Sequence, residues 1–501
     1  MTSQQHHPRI LIVTPEVTYF PAGMDNACQL AAKAGGLADV SAALISALFE
    51  EGADVHVAMP DYRSIFDTRI ATLLQNQRAM IRKKLPNDRV HLAEDRAFYY
   101  LNRVYSDYGL ENIKIALAFQ REVINNIIPR VDPDLIHCND WMTGLIPAAA
   151  RNFGIPSLFT LHNIHTVKTT IAEIEDRGID AASFWNYLFF INIPLNYWEA
   201  RDTNPVDLLC SGVFSSHFVN TVSYTFLTEI AKGQHSFIEH PLQQEIANKL
   251  NANCATGILN APDPSFHPSK DPALSLQYDS TSFSEGKIHN KLHLQEMLGL
   301  ISNCDAPILF WPSRLDPIQK GCQLLSDIIY HVVSMYWENQ LEIIFIANGA
   351  YQNIFKDIVN FHQLHNRIAV CDFSSQMERL AYGASDFLMM PSRFEPCGLP
   401  QMIGAIYGCL PIVHNTGGLH DTVTHINVDK NSGNGFVFDV FDANGLFWAI
   451  REAMAFYTLP NTIKNDQISR IMKQSEKQFT HSVTARHYID LYEKMLERPL
   501  I

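Results

Sequence analysis

The 501-residue chain has no Cys-x-x-Cys pair, and its nine cysteines are scattered and odd in number, which excludes a disulfide framework and a zinc ribbon. No apolar run is long enough to span a bilayer, and the start, MTSQQHHPR, lacks the apolar core of a signal peptide. Positive charge is scarce. With 38 Lys and Arg against 52 Asp and Glu, the net charge of −14 argues against nucleic acid and anionic membranes as partners, since both attract basic surfaces. Extended low-complexity tracts are also missing. A reducing cytoplasm is the expected location, and any bound phosphate must be met by local cations. What remains is a globular composition, 47% hydrophobic and 18% charged, in a chain too long for one ordinary core.

Short apolar runs alternate with longer helical stretches. RILIVTPE, ADVHVAMP, DLIHCND, SLFTLHN, HFVNTVS and TGILN read as strands in the first half; PILFWPSRL, LEIIFIANG, RIAVCDF, DFLMMPS, LPIVHN and GFVFD do so in the second. Continuous apolar strands separated by helices imply parallel sheets covered on both faces. The expected fold class is therefore α/β, with two Rossmann-like doubly wound parallel-sheet domains. The Pro-, Ser- and Asp-rich stretch 260–286 reads as the connection between them. Residues 1–265 form one expected domain and 266–480 the other, with a cleft between. In the C-terminal stretch 481–501, helical spacing of Val483, Tyr488, Leu491, Tyr492 and Leu496 predicts a helix that packs back on the first domain.

Several motifs stand at the carboxyl ends of these strands, where ligands bind in open α/β sheets. In KAGGLADV, Lys33, Gly35 and Gly36 precede a helix whose amides and dipole favour an anion; a tight turn with a solvated lysine fits the spacing as well. Arg314 and Lys320 in SRLDPIQKG stand at the mouth of another helix, where an arginine fork and a lysine suit a diphosphate or are ordinary solvated charges. In SRFEPCGLPQ, Glu395 precedes a turn and a helix from about Pro400, and fits a capping carboxylate or a ligand contact. Cys397 reads as a packed small side chain rather than a nucleophile. Gly417 and Gly418 repeat the anion-turn pattern. Asp140 ends DLIHCND and His162 ends SLFTLHN, both facing the expected cleft. Asp132-Pro133-Asp134 reads as a strand entry rather than a metal motif.

Taken in order, KAGGLADV, DLIHCNDW, TLHNI, NTVSYTFLTEI, GILNAPD, SRLDPIQKG, SRFEPCGLPQ and TGGLHDTV closely resemble the signature series of the bacterial glycogen synthase and starch synthase family, the family 5 retaining glycosyltransferases. The resemblance spans nearly the whole chain. It implies the GT-B architecture, two Rossmann-like domains facing across a deep cleft, and transfer of glucose from ADP-glucose to the non-reducing end of an α-1,4-glucan with retention, releasing ADP. The implied partners are a nucleotide-sugar donor and a glucan acceptor, and no metal or other cofactor is implied. Lys33, Gly35 and Gly36, with Arg314 and Lys320, are implied donor-diphosphate contacts. Glu395 is implied against the transferred glucose, His162 beside it, and Asp140 near the sugar or acceptor. Cys397, Gly398, Leu399, Thr416, Gly417 and Gly418 complete the implied donor pocket, and Phe373 aligns loosely as a ring for the base.

The chain departs from the family pattern at several points. The stretch from Val17 to Ala32 is longer than usual, and SRLDPIQKG carries one extra residue between arginine and lysine. Asn139 replaces the second histidine of HxHDW, His165 lies in an altered HNIHTVK continuation, and IANGAYQ replaces a GxGD turn. Ala261-Pro262 replaces the middle of NGID, and Pro400 has no amide to offer a phosphate. These changes bear on donor choice and glucan affinity. They keep open a different nucleotide such as UDP-glucose, another acceptor, or a weakly active glucan-binding regulatory paralogue.

Overall fold

The structure, a computed structural model, describes residues 7–21, 23–24, 30–66, 89–106 and 109–501. Part of the long stretch 17–32 and most of the N-terminal MTSQQHHPR therefore lie outside the described residues. Tertiary contacts divide the chain into two units, Met1–Leu259 with His481–Ile501, and Asn260–Thr480.

The first unit is built on seven parallel strands: β1 (Arg9–Val13), β2 (Asp54–Pro60), β3 (Val90–Ala93), β4 (Leu135–Asn139), β5 (Ser157–Leu161), β8 (Phe218–Thr221) and β9 (Ala255–Gly257), in the order β3-β2-β1-β4-β5-β8-β9. A two-stranded antiparallel ribbon, β6 (Lys168–Thr169) with β7 (Val206–Asp207), stands apart from it. The central strands are buried because helices cover both faces, which is why β1, β4 and β5 read as unbroken apolar runs. The helix His481–Leu496 belongs to this unit and contacts the helix Gly36–Glu50. Its Tyr488 and Tyr492 are fully buried, and Tyr492 Oη lies 2.7 Å from His137 Nδ1 on β4. Val483, expected on the buried face, is exposed; Thr484 and Ala485 are buried instead.

The second unit repeats the plan with six parallel strands: β10 (Ile308–Trp311), β11 (Glu342–Ile346), β12 (Ile368–Cys371), β13 (Phe387–Met390), β14 (Leu410–His414) and β15 (Phe436–Phe438), ordered β12-β11-β10-β13-β14-β15. The stretch 260–286, expected to be a connection without structure, is instead folded into this unit. Asp271 is fully buried, bonded to Arg379 and to the Tyr407 hydroxyl, while Tyr278 Oη donates to the Tyr407 carbonyl at 2.8 Å. A helix already begins at Phe283. The polar composition that reads as a linker is an internally satisfied loop: its Asp side chains accept from backbone amides two or three residues on, Asp263 from Ser265, Asp271 from Ala273, and Asp279 from Thr281 and Ser282.

In both sheets the strand order reverses at one place, between β1 and β4 and between β10 and β13. Connections leave such a point in opposite directions, so a crevice opens at the carboxyl ends of the two strands. The sequence motifs cluster at both reversal points.

Candidate active site

In the first unit the turn after β1 is organised by a carboxylate that sequence reasoning passed over. Glu16 Oε2 accepts from the amides of Ala34 and Gly35 at 2.6 and 3.0 Å, and Tyr105 Oη donates to its other oxygen at 3.3 Å. Burial raises the Glu16 pKa above its usual value, against the lowering effect of those hydrogen bonds. The anion-binding turn thus already holds one carboxylate. The helix begins at Gly36, and Gly35 supplies no side-chain cap, so amides of its first turn remain directed outward. Lys33 is half exposed and paired with Asp39 of that first turn at 2.7 Å, rather than free in solvent. Asp39 also accepts from Thr18 Oγ1 at 2.7 Å.

The end of β4 holds a strained residue. Asp140 has φ 57° and ψ −178°, a region that side chains other than glycine rarely enter and that costs about 1–3 kcal/mol. The surroundings hold it there: its amide donates to Thr160 O at 3.0 Å, and its buried Oδ1 accepts from the His162 amide at 2.8 Å. Oδ2 accepts from Asn163 Nδ2 at 3.1 Å. Burial pushes the Asp140 carboxyl up to about 7 although the amide bonds oppose the shift. Packing lowers the His162 imidazole to about 3, so the ring is neutral. Asp140, His162, Asn139 and Asn163 are therefore one hydrogen-bonded cluster spanning the ends of β4 and β5. His165 is tied to it through the main chain, its amide donating to Asn163 Oδ1 at 2.7 Å, while its ring meets Trp141 in a T-shaped contact.

In the second unit, Lys320 Nζ lies 2.6 Å from Glu395 Oε2, and Ser392 Oγ donates to the same oxygen at 3.1 Å. Both charges are buried. Lys320 reaches this position because Gly321, at φ 71°, starts the helix Cys322–Met335 with its Cα against Pro391; a Cβ there would stand 2.0 Å from the Pro391 carbonyl oxygen. Arg314 lies on the loop after β10 and is exposed. The turn that follows Glu395 and the Gly417-Gly418 turn are mated. Gly418 N–H donates to Glu395 O at 2.9 Å, and a Cβ on Gly418 would meet Cys397 O at 2.0 Å, so only glycine lets the helix start Gly417–Thr422 approach the 395–399 turn. Thr416, buried, is the residue before that helix. Gln401 was also missed; its Nε2 donates to the carbonyls of Cys397 and Gly398 and to Thr422 Oγ1, at 3.1, 2.8 and 3.0 Å. Pro400 is the first residue of the helix Pro400–Tyr407, behind Leu399 as its N-cap, where a missing N–H goes unspent. Burial pushes the Cys397 thiol up to about 12, which fits a packing side chain and no nucleophile. Phe373 follows β12 with its ring half exposed, and its amide is held by Asn348 of the IANGAYQ turn at 3.0 Å. Among the described residues no three His, Cys, Asp or Glu side chains gather as a metal site.

A cation–carboxylate pair at one reversal point and a strained acid with a neutral histidine at the other are found in a chain that matches known proteins over nearly all of its length. A family model described as the starch synthase catalytic domain matches residues 9–244, and one described as glycosyl transferases group 1 matches residues 306–455. The glycogen synthase of Moorella thermoacetica is 30% identical over 515 residues, covering 98% of this chain and 97% of that protein. The chain belongs to the glycogen and starch synthase family. A second relative, the glycogen synthase of Exiguobacterium sibiricum, is 31% identical over 490 residues, covering 92% of this chain and 95% of its own length. Among solved structures, the catalytic domain of starch synthase IV from Arabidopsis thaliana, bound to ADP and acarbose, is similar at a TM-score of 0.77 and 23% identity, covering 98% of this chain and 100% of that one. Sucrose-phosphate synthase from Thermosynechococcus elongatus is more distant, at 0.57 and 15% over 98% and 99%. The two parallel-sheet units are thus the GT-B fold, and this member of the glycogen and starch synthase family is a glycosyltransferase.

Proposed function

We propose that the enzyme transfers glucose from ADP-glucose to the non-reducing end of an α-1,4-glucan with retention of configuration, and that it does so without a metal ion. The observation that carries the reading is the buried Lys320–Glu395 pair, 2.6 Å apart at the end of β13. Breaking a glycosyl–phosphate bond leaves positive charge on the anomeric carbon and negative charge on the diphosphate; fixed groups of opposite sign stabilise that separation without reorganising. Lys320 and Arg314 supply positive charge for the departing diphosphate; in the first unit, Lys33 and the helix-start amides from Gly36 onward are anion-binding groups of the same kind. Glu395 orients the glucose hydroxyls and favours the developing cation. Cys397, Gly398, Leu399, Thr416, Gly417 and Gly418 shape the sugar pocket around it, and Phe373 offers a face to the base. Glu395 is already committed to Lys320 and Ser392, which fits electrostatic support better than covalent attack. Attack on the same face, with the departing phosphate oxygen taking the acceptor's proton, needs no second carboxylate.

Support for ADP-glucose comes from the relatives named glycogen synthase and from the starch synthase structure bound to ADP. Glucose incorporation into glycogen by the purified full-length protein, measured with ADP-, UDP- and GDP-glucose in the presence of EDTA, tests the reading. Polymer growth is expected, with ADP-glucose as the preferred donor. Preference for UDP-glucose, nucleotide release without polymer growth, or glycogen binding without any turnover would each overturn it.

A further inference from the structure

We infer that Asn139, a departure from the family pattern, is a positioning residue: it fixes the His162 ring as the neutral Nε2–H tautomer, leaving Nδ1 as an acceptor for a hydroxyl of the bound sugar. The sugar part of this inference rests on the function proposed above; the tautomer part does not.

The argument is one of donors and acceptors. Asn139 ends β4, between the ends of β1 and β5. Its Nδ2 lies 3.1 Å from the Val13 carbonyl oxygen, and its Oδ1 lies 2.9 Å from His162 Nε2. A backbone carbonyl only accepts, so the amide nitrogen must face Val13, and the amide oxygen must then face the ring. An amide oxygen also only accepts. Nε2 must therefore carry the hydrogen, and in a neutral imidazole Nδ1 then holds the lone pair. The orientation follows from Val13 and needs no assumption about which way the amide was built.

Asn139 and Asp140 thus grip the same residue twice. Asp140 Oδ1 takes the His162 main-chain N–H at 2.8 Å, while Asn139 takes the ring at 2.9 Å. Among the described residues, the titratable groups tied to this cluster are Asp140, His137 on β4, Glu16 after β1, which acts on Asp140, and Tyr105, which donates to Glu16 and on which Asp140 acts. His137 is itself held neutral, with Nδ1 to Tyr492 Oη and Nε2 to Thr160 Oγ1, so it adds no charge beside His162. A histidine in place of Asn139 could serve both only as one tautomer, with one ring nitrogen donating to Val13 and the other accepting from His162. Asparagine does both, and it leaves His162 one ring nitrogen able to meet a ligand.

The test is nitrogen-15 NMR of the full-length protein labelled at histidine, with the His162 signals assigned by comparison with His162→Gln. The expected result is a proton on Nε2, protected from solvent exchange, and no titration of the ring over the range where an ordinary imidazole ionises, about pH 5.5–7.5. In Asn139→Leu the protected Nε2 proton should be lost, and kcat should fall roughly 10- to 100-fold, as for a misplaced contact, with the donor KM little changed. Asn139→Asp, close in size, adds negative charge beside Nε2–H. It should bring the ring's ionisation into that pH range and give kcat a new acid limb. A proton found on Nδ1, or a wild-type ring that titrates there, overturns the inference whatever the protein's activity. Wild-type kcat in Asn139→Leu after the proton is lost overturns the positioning role while leaving the glycosyltransferase reading untouched.

Discussion

Burial raises Asp140 from its ordinary 3.8 to about 7, against the lowering effect of the His162 and Asn163 amides and with Glu16 adding to the rise. A carboxyl that holds its proton longer when folded stabilises the fold below the unfolded value, and that contribution is lost as pH rises through the folded one. The window is therefore pH 4 to 7. Thermal or denaturant unfolding of Asp140→Asn should lose less stability than wild type across it, by up to about 1.4 kcal/mol per pH unit. Parallel curves would show that the acid is not buried as described. Lys320 and Glu395 make a second residue-scale case. Removing one member of a buried pair leaves an uncompensated charge and costs about 3–5 kcal/mol, whereas removing both does not. Lys320→Ala should be clearly less stable in denaturant than Lys320→Ala/Glu395→Ala. Equal midpoints would mean that the two charges do not depend on each other. Neither pairing was visible in the sequence, where Lys320 and Glu395 are 75 positions apart; nor was Glu16, which serves a turn 18 residues away. The residue types of Lys320 and Glu395 pointed to chemistry, but which oxygen meets which nitrogen is decided by strand order.

At the scale of elements, twelve apolar runs read as strands correspond to β1, β2, β4, β5 and β8 to β15, because strands buried on both faces announce themselves by continuous hydrophobicity. The strand β3 did not announce itself. Its VHLA holds only four residues and includes His91, which is buried and bonded at 2.9 Å to His56 on β2, so a polar pair occupies what should have been an apolar position. The ribbon of β6 and β7 is two residues wide on each side and carries no period at all. The helix His481–Leu496 was legible by its spacing, but the partner that fixes it was not. Tyr492 closes a chain in which His137 Nδ1 meets its hydroxyl at 2.7 Å and His137 Nε2 meets Thr160 at 2.6 Å. Tyr492→Phe leaves that buried ring nitrogen without a partner, a cost of about 1–3 kcal/mol. Urea unfolding should show a lowered midpoint; an unchanged one would mean that the helix is held by packing alone.

For the whole molecule, two sheets of the same plan each reverse their strand order once, and each reversal carries its own polar cluster. The fold was readable from the alternation of strand and helix. The division of labour was readable only through the ordered motifs, since each glycine turn or lone histidine fits an ordinary structural role as well as a catalytic one. The account makes the second unit's cation an agent of the departing diphosphate, not of glucan capture. Lys320→Ala should therefore lower kcat with ADP-glucose by about 100- to 1,000-fold, the scale of losing one preorganised charge-stabilising group. Its affinity for glycogen, measured on the same preparation, should stay near that of wild type. Comparable losses in turnover and in glycogen binding would contradict the account.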